Sequence, residues 1–539
     1  MTGGTSRLVA RTGGAVNDGP VRVLPPTARH VGSHLFGPPL PALRALWQTG
    51  GRRGVTAAVC VVLPLVAGTS LHRTDLGAVA ALSAFTAVYG HALPYRRRAI
   101  VVAGIGGTLS LAAGLGALTG GHPLALSLLL GALSAAAAVA VAVWRIGPPG
   151  ALGVVLVCGG CSALGAAPSD VGVLVLAAVA GAGLAWCACM LPWLWDPTGP
   201  ERRALETAER AVAAVERHGL GSTRPGAVAA AVRLADVTIA DGSRRDPGSL
   251  RTRLHELEQR FFRALPSHDG NAPPSSYELA TPAAADAWWH IPWVPTAVRI
   301  GTGATAAALI ALALGLHNPY WAAATAVAVQ LGIGARGTRA RAANRVAGTV
   351  VGVVIAAAII AAGLPVGVQI VLVGLLQLTV ELLVAHKYGL AVAFITPMVL
   401  TLVHIGAPGR TGSQLIGERL AETGIGIAVA LSVGLALFRR AGSRRLPGAV
   451  AAASDAAVRA AEDRAADGRL HDTLVTLSEV ATAVRAELFP TEESAALLER
   501  ARWVADLGWA LLGARARGEA VLASTLVQRI GDELGPPRS

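Results

Sequence analysis

Twelve apolar runs, each near the length of a bilayer crossing, leave this chain little room for any other fold. Six lie at roughly 55–71, 76–92, 99–118, 124–144, 152–167 and 171–194. Six more lie at roughly 294–316, 320–333, 343–364, 366–385, 390–405 and 415–438. A hydrocarbon core of about 30 Å takes about 17–25 helical residues to cross. Inside it every backbone N–H and C=O must bond within the protein, so such runs fold as helices. The expected fold class is an all-α polytopic membrane protein.

The residue balance agrees. Of 539 residues 53% are hydrophobic and 15% are charged, and the mean hydropathy is +0.53. Soluble domains carry about 25% charged residues. The net charge of +13 sits mainly in loops and tails beside the apolar runs. A nucleic-acid binder would show a basic face with exposed aromatics on a polar domain, so no nucleic-acid partner is expected. Lys387 is the only lysine, and the abundance of Arg, Ala and Gly resembles the product of a GC-rich bacterial genome. A phosphate-binding loop needs Lys followed by Ser or Thr, whereas Lys387 precedes Tyr388; no HExxH pair exists, since His255 is followed by ELEQ. Cys60, Cys158, Cys161, Cys187 and Cys189 all lie in apolar runs. The CGGC stretch has metal-ligand spacing, but buried thiols are common as small core residues, so neither metal nor cofactor is expected.

Arginine placement orients the chain. With the N-terminus inside, one set of loops holds Arg52/Arg53, Arg96/Arg97/Arg98, Arg145, Arg202/Arg203, the run Arg336 to Arg345, Lys387 and Arg439/Arg440, while the opposite loops hold Arg73, Arg410 and Arg419. That is the positive-inside pattern of a multi-pass protein of a bacterial plasma membrane with both termini cytoplasmic. The N-terminal stretch lacks the apolar core of a signal peptide and reads as a disordered cytoplasmic tail over residues 1–50. A first bundle spans 51–196, a helical domain and linker 197–285, a second bundle 286–440, and a C-terminal helical domain 441–539. YRRRAIVVAGIGGTLSLAAGLG from Tyr95 parallels TRARAANRVAGTVVGVVIAAAI from Thr338. Two six-helix repeats in parallel orientation, each followed by a cytoplasmic helical domain, are therefore expected, with a substrate path between them.

Pro319, Trp321, Ala322 and Thr325, then Arg341, Arg345, Gly348, Thr349 and Gly352, carry a resemblance. Phe394, Thr396, Arg419, Thr423 and Gly426 continue it. Together they resemble the signature of the fusaric acid resistance-like integral membrane family (FUSC), convincingly so in the second half; the first half resembles the family in architecture alone. The resemblance implies a bacterial inner-membrane protein similar to aromatic acid exporters and, more distantly, to plant malate channels. It implies efflux of organic anions, aromatic acids or toxic amphiphiles, driven by the membrane potential or a proton gradient. Substrate does not transfer across such a family. The rivals are a non-transporting scaffold that recruits partners through its helical domains, an anion channel, and an enzyme on lipid-linked substrates; the last lacks a recognisable catalytic constellation, and no enzyme activity is expected. Expected partners are membrane lipids and a small organic anion, and a homo-oligomer is compatible with this reading.

Four charged residues stand out as substrate-path candidates: Arg341, Arg345, Glu381 and Arg419. Glu381 is the one carboxylate well inside an apolar run, where it needs either an ion pair, for which Arg341 and Arg345 are at the right level, or a proton. Arg341 and Arg345 could equally fork onto a substrate carboxylate. Arg336 and Arg339 read as anchors facing anionic lipid in a turn before the next helix. Arg419 opens the last helix with Glu418 and Glu422 beside it, so a local ion pair competes with a pore-lining role. Asp75, Asn318 and Tyr320, with His72 and His317, sit at the outer mouths as gate candidates. Gly348 and Gly352 form GxxxG, and Ala103 with Gly107 forms its counterpart, both read as helix-packing faces.

Overall fold

The computed structural model describes residues 43–144, 146–147, 149–163, 170–218, 225–242, 247–265, 293–331, 334–406, 412–437, 441–485, 487 and 491–534. Among them the chain is helical, with no strand. The first set of apolar helices comprises α1 (Arg52–Ser70), α2 (Thr74–Ala84), α3 (Tyr95–Leu118), α4 (Pro123–Val143), α5 (Leu152–Ala163) and α6 (Val171–Met190). The second comprises α10 (Val294–Ala313), α11 (Tyr320–Gln330), α12 (Gly334–Ala361), α13 (Val366–Leu383), α14 (Tyr388–Gly406) and α15 (Gly412–Ala436). Between them lie α7 (Gly199–His218), α8 (Pro225–Ala240) and α9 (Pro247–Arg263). After them come α16 (Ala441–Glu462), α17 (Asp467–Arg485), α18 (Glu492–Arg517) and α19 (Ala520–Leu534). A turn of helix at Leu43–Leu46 and a π-helical turn at Trp47–Gly51 precede α1, so helix starts inside the segment read as tail. Residues 1–42, the linker 266–292 and Arg145, Arg410, Arg439 and Arg440 lie outside the described residues.

Nine helical stretches among the described residues are long and apolar enough to cross a membrane. Leu111, Leu176, Val354 and Val371 stand exposed on their outer faces, where lipid would cover them. Three of the twelve expected crossings have shorter helices among the described residues, α5 running up to residues 164–169, which lie outside them. The 11 residues of α11 rise only about 16 Å, half a hydrocarbon core, and α2 and α5 are similar. Their flanks explain the length: Asn318 and Pro319 open α11, while α2 passes into a tight turn at Phe85–Val88 and a loop through Pro94. All eleven residues of α11 are buried, as are Gly77 to Ala84 of α2. Helices apolar all round belong in the middle of a protein.

The arginine stretch also differs from expectation. Arg336, Arg339, Arg341 and Arg345 do not occupy a turn, because α12 already begins at Gly334 and carries all four. Arginine and alanine are good helix formers, and Gly337 alone does not stop the helix. Arg345 thus sits eleven residues along α12, about 16 Å from its start.

Within the first set α1 packs on α2, α2 on α6, α3 on α5 and α6, and α4 on α5. Within the second α10 packs on α11, α11 on α15, α12 on α14 and α15, and α13 on α14. Between the sets α1 meets α13, α4 meets α10, α2 meets α14 and α5 meets α11. The helices outside the bundles form one body rather than two: Leu205, Val232 and Phe261 share a core with Leu446, Leu474 and Trp509. Each amphipathic helix must bury its apolar stripe against other elements, and α7–α9 and α16–α19 bury theirs in one shared core.

Candidate functional site

A helix that stops inside a membrane leaves its last carbonyls and those of the loop after it without helical partners, and arginine bonds one of each kind of backbone here. Below α2, the Arg98 guanidinium donates to the carbonyls of Gly90 (3.0 Å), His91 (2.7 Å) and Leu93 (2.9 Å). At the end of α11, Arg299 Nη2 donates to the Gln330 carbonyl at 2.9 Å. Cations at helix C-termini also complement the helix dipole. These two residues hold the broken backbone; in the sequence Arg98 stands out only as one of a cluster of loop charges, and Arg299 not at all. Arg299, the sole charge in α10, was the available signal.

The middle of the second set carries the charge. Arg345 on α12 is 4% exposed, Arg419 on α15 3% and Glu422 0%. They belong together: Arg419 lies within electrostatic reach of Arg345, which repels it, and of Glu422, which attracts it. Its guanidinium also stacks 4.1 Å from the centre of the Trp321 ring on α11. Arg345 Nε and Arg419 Nη1 are buried without a hydrogen-bond partner among the described residues. Buried Thr325, Thr349 and Thr423 come from the same three helices. Two buried guanidiniums and the Glu422 carboxylate meet here in a low-dielectric setting, where a charge costs about 2.5–3.5 kcal/mol on insertion scales, with Glu418 at the cavity beside them. Such a place is chemically suited to an anion that can accept bonds from both arginines.

A cavity of about 40 Å³ opens beside it, on the side away from the helical domain, with Asn318, Tyr320, Trp321, Glu418 and Glu422 in its lining. Asn318 Nδ2 donates to Glu418 Oε2 at 2.9 Å, and His317 Nδ1 lies 2.7 Å from Glu418 Oε1. Tyr320 packs against Gly159 of α5, where a Cβ would overlap its Cβ and ring. The CGGC stretch is therefore a packing surface. Cys158 and Cys161 are buried, and no group of three metal-ligating side chains occurs among the described residues.

Glu381 finds a different partner from those expected. Arg53 Nε lies 2.5 Å from Glu381 Oε2, joining α1 to α13, and Gln377 Nε2 donates to Glu381 Oε1 at 3.1 Å. Arg341 instead lies over the Tyr388 ring, 4.5 Å from its centre. Asp75 is taken by its neighbour Arg73 at 3.0 Å, in an exposed pair. Arg339 is exposed, and the Arg336 side chain lies outside the described residues. Gly348 and Gly352 meet Gly389, Val392 and Thr396 of α14. Gly107 does not pack on another helix: nothing lies within 4 Å of where its Cβ would be. Its expected role passes to Gly106, which faces Ala182, and to Gly116, which rests on the Cys158 carbonyl. One residue along a helix is about 100° of rotation, enough to turn a packing glycine outward.

The chain is 25% identical over 463 residues to YvaC, an uncharacterized membrane protein of Bacillus subtilis (strain 168), covering 71% of this chain and 72% of that protein. No solved structure matches it. Residues 305–433, the segment that holds Trp321, Arg345, Glu381, Arg419 and Glu422, match the family model described as fusaric acid resistance protein-like.

Proposed function

We propose that the chain is a membrane transporter that exports an organic anion, whose carboxylate is held by Arg345 and Arg419. The observation that carries this reading is the pair of buried guanidiniums beside Glu422, each keeping an N–H without a hydrogen-bond partner among the described residues. The match of this very segment to a fusaric acid resistance-like family supports an efflux role. An aromatic acid fits the Trp321 and Tyr320 rings beside the arginines.

The bundle reads as two parallel six-helix repeats about an axis along the membrane normal. In support, every packing named above has its counterpart when α1–α6 and α10–α15 exchange places. Gly181 of α6 rests on the Ala80 carbonyl as Gly426 of α15 rests on that of Ala322. On that register Leu174 and Ala177 stand where the second half has Arg419 and Glu422. The first half then lacks the counterparts of Arg419 and Glu422, so this buried site occurs once per chain. Short helices at corresponding places of two halves, here α2 and α11, are the usual mark of a transport site.

Positive charge on the helical-domain side supports a plasma-membrane protein with that domain in the cytoplasm. A 40 Å³ cavity is far smaller than an aromatic acid, so release to the other side requires the halves to move. The driving force is the membrane potential or a proton gradient. The test uses everted vesicles carrying the full chain, screened with a panel of aromatic acids. Accumulation should fall at least about tenfold in Arg345→Gln and in Arg419→Gln, the loss of one charge-assisted contact. Unchanged accumulation in both variants would overturn the reading, and a scaffold that moves nothing would accumulate no acid at all.

A further inference from the structure

Between the first set of membrane helices and the helical domain lies a chamber of about 910 Å³. That volume is within the range of about 300–1,000 Å³ typical of small-molecule sites. Its charged lining is Arg53, Arg97, Arg233 and Arg445 against Asp241 and Glu479, an excess of two positive charges. Apolar side chains such as Val143 and Leu234 supply the rest.

Most of this charge is already structural. Arg97 pairs with Asp241 at 2.7 Å and donates to the Trp144 carbonyl at 3.2 Å, tying α3 to the helical domain. Arg233 pairs with Asp472 at 3.2 Å. Arg53 is different. Its side chain is 26% exposed and faces the chamber, while the carboxylate it holds, Glu381, is 4% exposed and lies behind it on the other half. A carboxylate arriving in the chamber meets the same guanidinium from the open side. Gln377 remains as a donor to Glu381 while Arg53 turns to the newcomer. One charge-assisted bond replaces another of its kind, and the cost of the exchange is the unpairing of the buried Glu381 carboxylate, which keeps Gln377 as its donor.

We propose that this chamber is a binding site for an organic monocarboxylate, seated on Arg53 in competition with Glu381. Its apolar walls take the ring of an aromatic acid and its arginines the charge. The exchange loosens the seam between α1 and α13, one of the contacts joining the two halves. This inference deepens the export reading and rests on it for the direction of travel.

The test places a reporter in the chamber wall. Thr476, exposed there, becomes cysteine in a Cys187→Ser background, with the full chain in nanodiscs of neutral lipid. Benzoate is the probe, and a negatively charged methanethiosulfonate reports access to the thiol. Benzoate should slow labelling. In Glu381→Gln, which frees Arg53, half-protection should need about tenfold less benzoate, the effect of one charge-assisted contact. In the double variant Arg53→Gln/Glu381→Gln, which strands no buried charge, protection should vanish. Arg345→Gln should leave protection intact while abolishing accumulation in vesicles. No protection in the parent, protection that survives the double variant, or protection by phosphatidylglycerol nanodiscs but not by benzoate would each overturn the proposal. Arg345-dependent transport would still stand in those cases. Protection without Arg345-dependent transport would overturn the export site alone.

Discussion

The Arg419 guanidinium lies 4.1 Å from the centre of the Trp321 ring, so a charge on α15 is held by the face of an aromatic on α11. Both side chains are buried, Trp321 at 6% exposure and Arg419 at 3%. A desolvated cation–π contact contributes up to about 2 kcal/mol, and the indole is the strongest of the aromatic faces. Trp321→Phe should therefore cost little beyond its volume, whereas Trp321→Leu should lower stability by about 2–3 kcal/mol, the contact plus lost packing. Thermal unfolding in nanodiscs measures this, with Phe falling between wild type and Leu. Equal losses for Phe and Leu would show that the stack contributes nothing.

Gly159 and Gly107 make an opposed pair. A Cβ on Gly159 overlaps the Cβ and Cγ of Tyr320, atoms near the backbone that a rotamer change moves little. Gly159→Ala should cost about 1–3 kcal/mol through overpacking between α5 and α11. Gly107 has open space where its Cβ would stand. Gly107→Ala should be neutral or stabilising by up to about 1 kcal/mol, the helix-propensity difference. Unfolding midpoints of the two variants, measured side by side, decide this. A destabilising Gly107→Ala would mean that the outward face meets a partner.

The contrast between those glycines also marks how far sequence reasoning reaches. Apolar length locates helices because the bilayer demands it, and nine of the twelve runs are long enough to cross. It does not separate a crossing helix from a short one buried all round, since α11 and α2 are as apolar as their neighbours. The charged site was legible only residue by residue. Arg345 and Arg419 both stand out in the sequence, yet their positions point to opposite membrane faces, because the arginines from 336 onward resemble a turn although helix already runs from Gly334. Glu381 demanded a partner, but Arg53 lies 328 residues away, and pairing at that range is set by packing of α1 on α13, which has no local signature.

The Arg53–Glu381 pair has an asymmetric environment, and the asymmetry orders its variants. The Arg53 side chain is 26% exposed and Glu381 4%. Glu381→Gln leaves behind a guanidinium that water reaches, at a cost of about 1–2 kcal/mol. Arg53→Gln leaves behind a buried carboxylate, which approaches the cost of about 3–5 kcal/mol for breaking a buried pair. The double variant strands neither charge and should be more stable than Arg53→Gln alone, a rescue by a second mutation. Unfolding midpoints of the three variants in nanodiscs test the order. A double variant less stable than Arg53→Gln would mean that the pair is not what holds this seam.

The helical domain should loosen in mild acid through His471. Its ring sits edge-on between Phe262 of α9 and Trp509 of α18, with centroids at 5.9 and 5.7 Å, and Nε2 is buried without a hydrogen-bond partner among the described residues. Burial is the main cause that holds its pKa below the ordinary 6.5; Arg233 pushes the same way, while Asp472 and Asp236 oppose. The unfolded chain therefore takes up a proton before the folded one does. The contribution of neutral His471 is complete above about pH 6.5 and is lost as pH falls through the depressed folded value. Glu258 and Asp467, whose pKa values burial raises above the ordinary 4.5 and 3.8, act in the opposite sense at lower pH. A His471→Phe variant isolates the histidine, because it keeps the aromatic packing and removes the proton. Hydrogen–deuterium exchange over residues 467–485 and 492–517, referenced to intrinsic rates, should quicken between pH 7.5 and 5.5 in the wild type and change less in His471→Phe. The same acid response in both proteins would assign it to other groups.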